Sequence, residues 1–296
     1  MFWIPDGIWT KAIRGKSSLP FRASETVLIP AIGLSKNAAY VFKFVIWGKT
    51  SVSVTCAIQL ALQGHKTLLI DCDPQGNSSS WLANNFQYEL ADVLTGKVKV
   101  EDAISQTIVE NLYILPTFAI NGNLQAYAST TNKYYAFADI IFPAVSDFDY
   151  VISDTSPAFG NFEKGVAVTA DVIVPVLRLD QFSADGFQTL IENLDSTTKE
   201  IRCDDLLSKI SFVILNQQDK RMKFQSLFAE NFMKNFDDTQ FLTIPTDTSF
   251  VKAQILKRYV QDKNISARKE TLDAIENITK EMMKWKNQKI SMQVQQ

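Results

Sequence analysis

Short apolar runs recur along this chain, and helical stretches separate them. AYVFKFVIW (39–47), KTLLID (66–71), LYILP (112–116), FDYVISD (148–154), ADVIVPV (170–176) and ISFVILN (210–216) are rich in β-branched and aromatic residues. Such near-continuous runs read as strands buried on both faces. TSVSVTCAIQLALQ (50–63) carries Val54, Ala57, Ile58 and Ala61 at helical spacing, and Gly64 closes it as a C-cap. DGFQTLIENL (185–194) and RMKFQSLFAENFMKNF (221–236) are further helical segments, and a last helix over about 266–286 bears Leu272, Ile275, Ile278, Met282 and Trp285 as one stripe. Strands alternating with helices predict an α/β fold with a mostly parallel, doubly wound sheet in three α/β/α layers.

Composition narrows the functions open to such a fold. The 296 residues are 46% hydrophobic, which allows an ample core. Net charge is −2, so any contact with nucleic acid must come from a local patch. Cys56, Cys72 and Cys203 form neither a disulfide framework nor a zinc spacing, which suits a reducing cytoplasm. His65 is the only histidine, which excludes a histidine dyad or a set of imidazole ligands. No apolar run reaches the roughly 18 residues of a membrane span, and Pro5 and Asp6 stand where a secretion signal needs an apolar core. Proline and glycine break up residues 1–38, which read as an irregular leader. One domain is expected over 39–286 and a polar tail over 287–296.

Ligands of doubly wound sheets bind at the carboxyl ends of strands, and three such ends here are unusual. The first is Gly48-Lys49-Thr50-Ser51 after AYVFKFVIW. A lysine and a hydroxyl at a helix start serve phosphate and Mg²⁺, although a tripeptide on a buried strand is the plain alternative. The second is LLIDCDPQGNSSS (68–80), where Asp71 and Asp73 would face one side as long as the strand persists. They could position a metal or an attacking water, or simply cap a turn. The third is DYVISDTSPAFG (149–160), an apolar strand ending in Asp154, which could hold Mg²⁺ through water or stand in a solvated loop. Lys220, Arg221 and Lys223, with Lys252, Lys257 and Arg258, are the best local basic clusters for DNA phosphates, or else solvated helix faces.

The three motifs, in this order, resemble the ParA/MinD family of deviant Walker ATPases, and its chromosome and plasmid partition branch in particular. LLIDCDPQGNSSS is similar to that family's LLIDxDPQGN stretch, YVISDTSPAFG to its YVIIDTPPSLG, and ADVIVPVLRLDQFSADGFQTL to its ADEVIIPVQPEYFALEGLSQL. ISFVILNQQD and TIPTDTSFVKAQ resemble its late strands and the turn after them, so the likeness spans about 40–285. The resemblance implies a P-loop NTPase-like domain that binds Mg²⁺ and ATP, dimerises with ATP at the interface and hydrolyses it slowly. It implies a homodimer that binds DNA without sequence preference and works with a centromere-binding, ParB-like partner, cytoplasmic and nucleoid-associated, with no membrane. By the same likeness Gly48, Lys49, Thr50 and Ser51 line the phosphates, with Lys49 on the β and γ groups. Thr50 and Asp154 hold Mg²⁺, Asp71 lies on the metal side, Asp73 positions the attacking water and Asn216 approaches the adenine.

One stretch departs from the family. Its loop reads K-G-G-x-G-K-[ST], and without a gap those places are Phe44, Val45, Ile46, Trp47, Gly48, Lys49 and Thr50. The signature lysine falls on Phe44, with Lys43 one residue away and on the opposite strand face. The missing glycines permit positive φ and close approach to phosphate, to which Val45 and Ile46 are poorly suited. Alternatively, VFKFVI is the whole strand and the loop is shortened. Two rival readings follow: a degenerate binding module that has lost turnover, and a MinD-like membrane-cycling ATPase.

Overall fold

Alternation along each strand builds the layers. Neighbouring residues of β2 (Thr67–Cys72) part to opposite faces: Leu68, Ile70 and Cys72 join one buried cluster, and Leu69 the other. The same division separates Val151 from Tyr150 and Ile152 on β5 (Tyr150–Thr155), and Val213 and Leu215 from Phe212 and Ile214 on β7 (Phe212–Gln218). These are observations on a computed structural model, which describes residues 42–47, 50–82, 85–219, 221–234, 236 and 239–294. The leader 1–38, Gly48, Lys49, Lys220 and the last two tail residues lie outside the described residues.

Among the described residues one sheet of eight strands runs in the order β3-β4-β2-β5-β1-β6-β7-β8. Its remaining members are β1 (Phe42–Trp47), β3 (Ser105–Gln106), β4 (Leu112–Leu115), β6 (Val172–Arg178) and β8 (Gln240–Pro245). All pairings are parallel except that of β3 with β4 at one edge. β3 spans only two residues, too short to show a period in sequence. The α/β, doubly wound, three-layer expectation holds.

Helices α1 (Thr50–Leu62), α2 (Asn77–Leu82), α8 (Ser249–Ile255) and α9 (Lys269–Val294) cover one face. Helices α3 (Leu90–Leu94), α4 (Asn123–Thr130), α5 (Asn161–Thr169), α6 (Gln181–Ile201) and α7 (Lys223–Met233) cover the other. α1 ends where the spacing placed its end, with Gly64 at φ 89°, a conformation that costs other residues more. The stripe of α9 is spent on the core: Ile275, Ile278 and Met282 are buried, and Leu272 and Trp285 pack beside them. No helix among the described residues is long and apolar enough to cross a membrane.

This strand order positions the site. The chain leaves β1, builds β2 two places away, and returns to insert β5 between them. The carboxyl ends of β2, β5 and β1 thus become neighbours at a point where the winding reverses, the usual ligand crevice of such sheets.

Candidate active site

Parallel register sets the two central acids side by side. Asp154 of β5 stands opposite Asp71 of β2 on one side and Ile46 of β1 on the other. Both carboxylates are fully buried, so their oxygens need partners. Hydroxyls supply them. Ser53 Oγ donates to Asp154 Oδ1 at 2.8 Å, Ser78 Oγ donates to Oδ2 at 2.5 Å, and the Thr50 hydroxyl also hydrogen-bonds this carboxylate. Thr50 and Ser53 stand three apart on α1 and therefore share a helix face. The second carboxylate is held by α2 and by the turn before it. Asp71 Oδ2 accepts from the Ser79 N–H at 2.8 Å and from Ser79 Oγ at 2.6 Å, and Oδ1 accepts from the Asp73 N–H at 3.3 Å. Thr117 completes the cage: its N–H donates to Ser79 Oγ at 2.8 Å and its hydroxyl to the Asp71 carbonyl at 2.6 Å.

Burial and like charge set the protonation of this pair. Burial, then the Asp154 charge, pushes Asp71 up to about 8, against the pull of its hydrogen bonds from Ser79 and Asp73. Burial raises Asp154 to about 6, while the Ser78, Ser53 and Thr50 hydroxyls pull it down. A hard cation beside the pair would favour both ionised forms. The donor set is all oxygen, which fits Mg²⁺. Among the described residues no group of three or more His, Cys, Asp or Glu forms a metal cage. An ion at Thr50 and Asp154 would therefore complete its shell with water and phosphate, as Mg²⁺ commonly does.

Two expectations meet a different geometry. β2 ends at Cys72, so Asp73 does not continue the strand face of Asp71. It lies half-buried in a turn, where its Oδ1 accepts from the Gln75 N–H at 2.9 Å. At the first strand end, β1 runs through Trp47 with β5 on one edge and β6 on the other. Val45 and Ile46, which take the places of the family's glycines, are therefore sheet residues. Ladder bonding to two neighbours occupies backbone groups that a phosphate cradle would need. β1 thus ends at Trp47, one residue past the VFKFVI of the shortened-loop alternative, and α1 starts at Thr50, with Gly48 and Lys49 between them outside the described residues. Asn216 is buried near the end of β7, opposite Arg178 of β6, well along the sheet from the carboxylate pair.

Four of the basic candidates engage partners within the chain. Arg221 clasps Asp219 with two bonds of 2.9 and 2.7 Å, and Arg258 pairs with Asp262 at 2.7 Å. Lys252 Nζ donates to the carbonyls of Asn264 and Ile265, and Lys257 Nζ to the carbonyl of Ser80. Lys223 opens α7 and is exposed.

Known proteins share this architecture. A family model described as an AAA domain matches residues 47–207. Over 200 residues the chain is 27% identical to the chromosome-partitioning ATPase Soj of Treponema pallidum (strain Nichols), covering 67% of this chain and 77% of that protein. The chain belongs to the ParA/MinD family. Among solved structures of that kind, Cyanothece apo McdA aligns with a TM-score of 0.69 at 17% identity, over 80% of this chain and 99% of that one. MinD of Pyrococcus horikoshii OT3, solved with Mg-ADP, aligns with a TM-score of 0.67 at 19% identity, over 82% and 96%. Several members of this carboxylate cluster escaped the motif reading. Ser53 had a usable signal, one turn after Thr50 on the same helix face. Ser78 and Ser79 lie in the quoted run of small polar residues. Thr117 had none, because it arrives from a loop 46 residues after Asp71 in sequence.

Proposed function

We propose that this protein is a ParA-like partition ATPase: an Mg²⁺- and ATP-dependent homodimer that binds DNA without sequence preference and segregates chromosome or plasmid DNA with a centromere-binding, ParB-like partner. The observation that carries the reading is the cluster in which the Thr50, Ser53 and Ser78 hydroxyls converge on buried Asp154 beside buried Asp71. A sheet core has no structural need for two adjacent buried carboxylates, and such pairs concentrate at functional sites. Family membership supplies the reaction class. In this reading Lys49 holds the β and γ phosphates, with Gly48 and Ser51 beside it. Thr50 and Asp154 hold Mg²⁺, which neutralises charge on the phosphates when bound. Asp71 supports the metal side, Asp73 orients the attacking water, and Asn216 lies toward the adenine. Lys220, Arg221, Lys223, Lys252, Lys257 and Arg258 are the candidate DNA contacts, and those paired internally would have to exchange partners to serve. The protein would then act in the cytoplasm, on the nucleoid.

The course of β1 favours a second reading. With Val45 and Ile46 committed to the sheet, fewer backbone N–H groups remain for phosphate, which weakens ATP binding more than the fold. In the limit the protein is a binding module that works without turnover. Equilibrium titration with Mg·ATP, beside Lys49→Ala, separates the two. The ATPase reading expects micromolar binding in the parent protein and none in the variant. Absence of binding in both would leave the module. Equal affinity in both would refute the assignment of Lys49.

A further inference from the structure

α2 has two working sides. Its consecutive residues Ser78 and Ser79 donate to Asp154 and Asp71. Its next two residues face a segment about 177 positions later in the chain. The Ser80 carbonyl accepts from Lys257 Nζ, the Ser80 hydroxyl lies 3.2 Å from the same ammonium, and Trp81 Nε1 donates to the Arg258 carbonyl at 2.7 Å. Trp81 is buried, so its indole has no alternative partner in water. The entry to α2 is tight as well. Gly76 has φ 59°, and a Cβ there would meet the Thr117 carbonyl at 2.6 Å. A six-residue helix held at its entry, at two carboxylates and at a distant loop shifts as a unit.

We propose that Lys257 and Trp81 are positioning residues. They set α2 so that Ser78 and Ser79 meet the carboxylate pair, and α2 in turn couples that pair to the basic segment 256–262. The consequence for turnover rests on the partition-ATPase reading: a change at the carboxylates would reach Lys257 and Arg258 through α2. The coupling itself rests on the hydrogen bonds alone. A separate tie, from Gln261 Nε2 to the Thr55 carbonyl at 3.3 Å and to Gln59 Oε1 at 3.1 Å, anchors the segment to α1, which does not bond Asp71 through any of these groups.

Hydrogen exchange by mass spectrometry on the full chain, without nucleotide, tests this. The segment has protected amides to follow, including Arg258 N–H to the Ala253 carbonyl and Asp262 N–H to the Tyr259 carbonyl. Ser79→Ala loosens the Asp71 end of α2. It should speed exchange over 256–262 by threefold or more, while a reference peptide from α6 is unchanged. The increment should at least halve in a Lys257→Met background, where the Trp81 tie remains, and return with Lys257→Arg. Trp81→Phe, which removes only the indole N–H, should shrink the increment without abolishing it. The proposal is overturned if Ser79→Ala leaves 256–262 unchanged, if it speeds α6 equally, or if its effect is as large with Lys257→Met as without. Failure to bind Mg·ATP in a parallel titration would remove the ATPase reading only, since no arm of the exchange experiment contains nucleotide.

Discussion

Replacing Asp71 by Asn should stabilise the metal-free protein near neutral pH and not in acid. With its carboxyl pushed up to about 8 in the folded state, against an ordinary value near 4, Asp71 binds its proton more tightly folded than unfolded. The stability this proton confers is complete below about pH 4 and is lost as pH rises toward 8. Asn carries no such proton, so the variant escapes the loss. Each pH unit between these limits is worth about 1.4 kcal/mol, so the stability of the variant relative to its parent should climb by roughly 2–3 kcal/mol between pH 5 and pH 7. Against this stands a constant cost. Asp71 accepts at both oxygens, from Ser79 at Oδ2 and from the Asp73 N–H at Oδ1. Asn has one acceptor oxygen, so an NH₂ group must face a donor, at about 1–3 kcal/mol. The variant should therefore be level with its parent or weaker at pH 5, and more stable by about 1–3 kcal/mol at pH 7. Urea unfolding in EDTA at pH 5, 6, 7 and 8 reads this directly, because the pH slope is independent of the Asn cost. A difference that stays constant over that range would refute a buried, proton-holding carboxylate pair.

Four further outcomes follow from the same geometry. Gly76→Ala combines a positive φ with a Cβ 2.6 Å from the Thr117 carbonyl, and should cost about 2 kcal/mol or more in urea unfolding; a neutral result would mean that the turn before α2 is looser than described. Asp73→Ala should leave nucleotide affinity intact and abolish phosphate release, and turnover at the parent rate would remove Asp73 from the role of water positioning. Met282→Ala should destabilise by about 2–5 kcal/mol, because the side chain is fully buried where α9 meets the core. The intact protein should then fail to pellet with anionic lipid vesicles in ATP, and clear ATP-dependent pelleting would revive the MinD-like reading.

What the sequence determined by itself was local and periodic. Within KTLLID and ISFVILN the central residues, Leu68–Ile70 and Phe212–Leu215, are apolar without alternation because β2 and β7 are covered on both faces, and that alone announces a parallel sheet. Spacing located α1 and its closing Gly64, and the stripe of α9 that fills the core. Motif order pointed to Thr50, Asp71 and Asp154. Tertiary structure decided which of these meet. Asp71 and Asp154 stand opposite each other because β5 inserts between β2 and β1, and strand order is invisible to a period of two. The same limit hid Thr117, which closes the cage from another loop, and the partners that Lys257 and Arg258 find within the chain. It also left open whether Val45 and Ile46 were loop or strand, because their residue types suit a buried strand wherever it ends. Pairing with β5 and β6 on both edges settled that β1 continues to Trp47, since a hydrogen-bond ladder is a property of three strands together and not of the one that carries the motif.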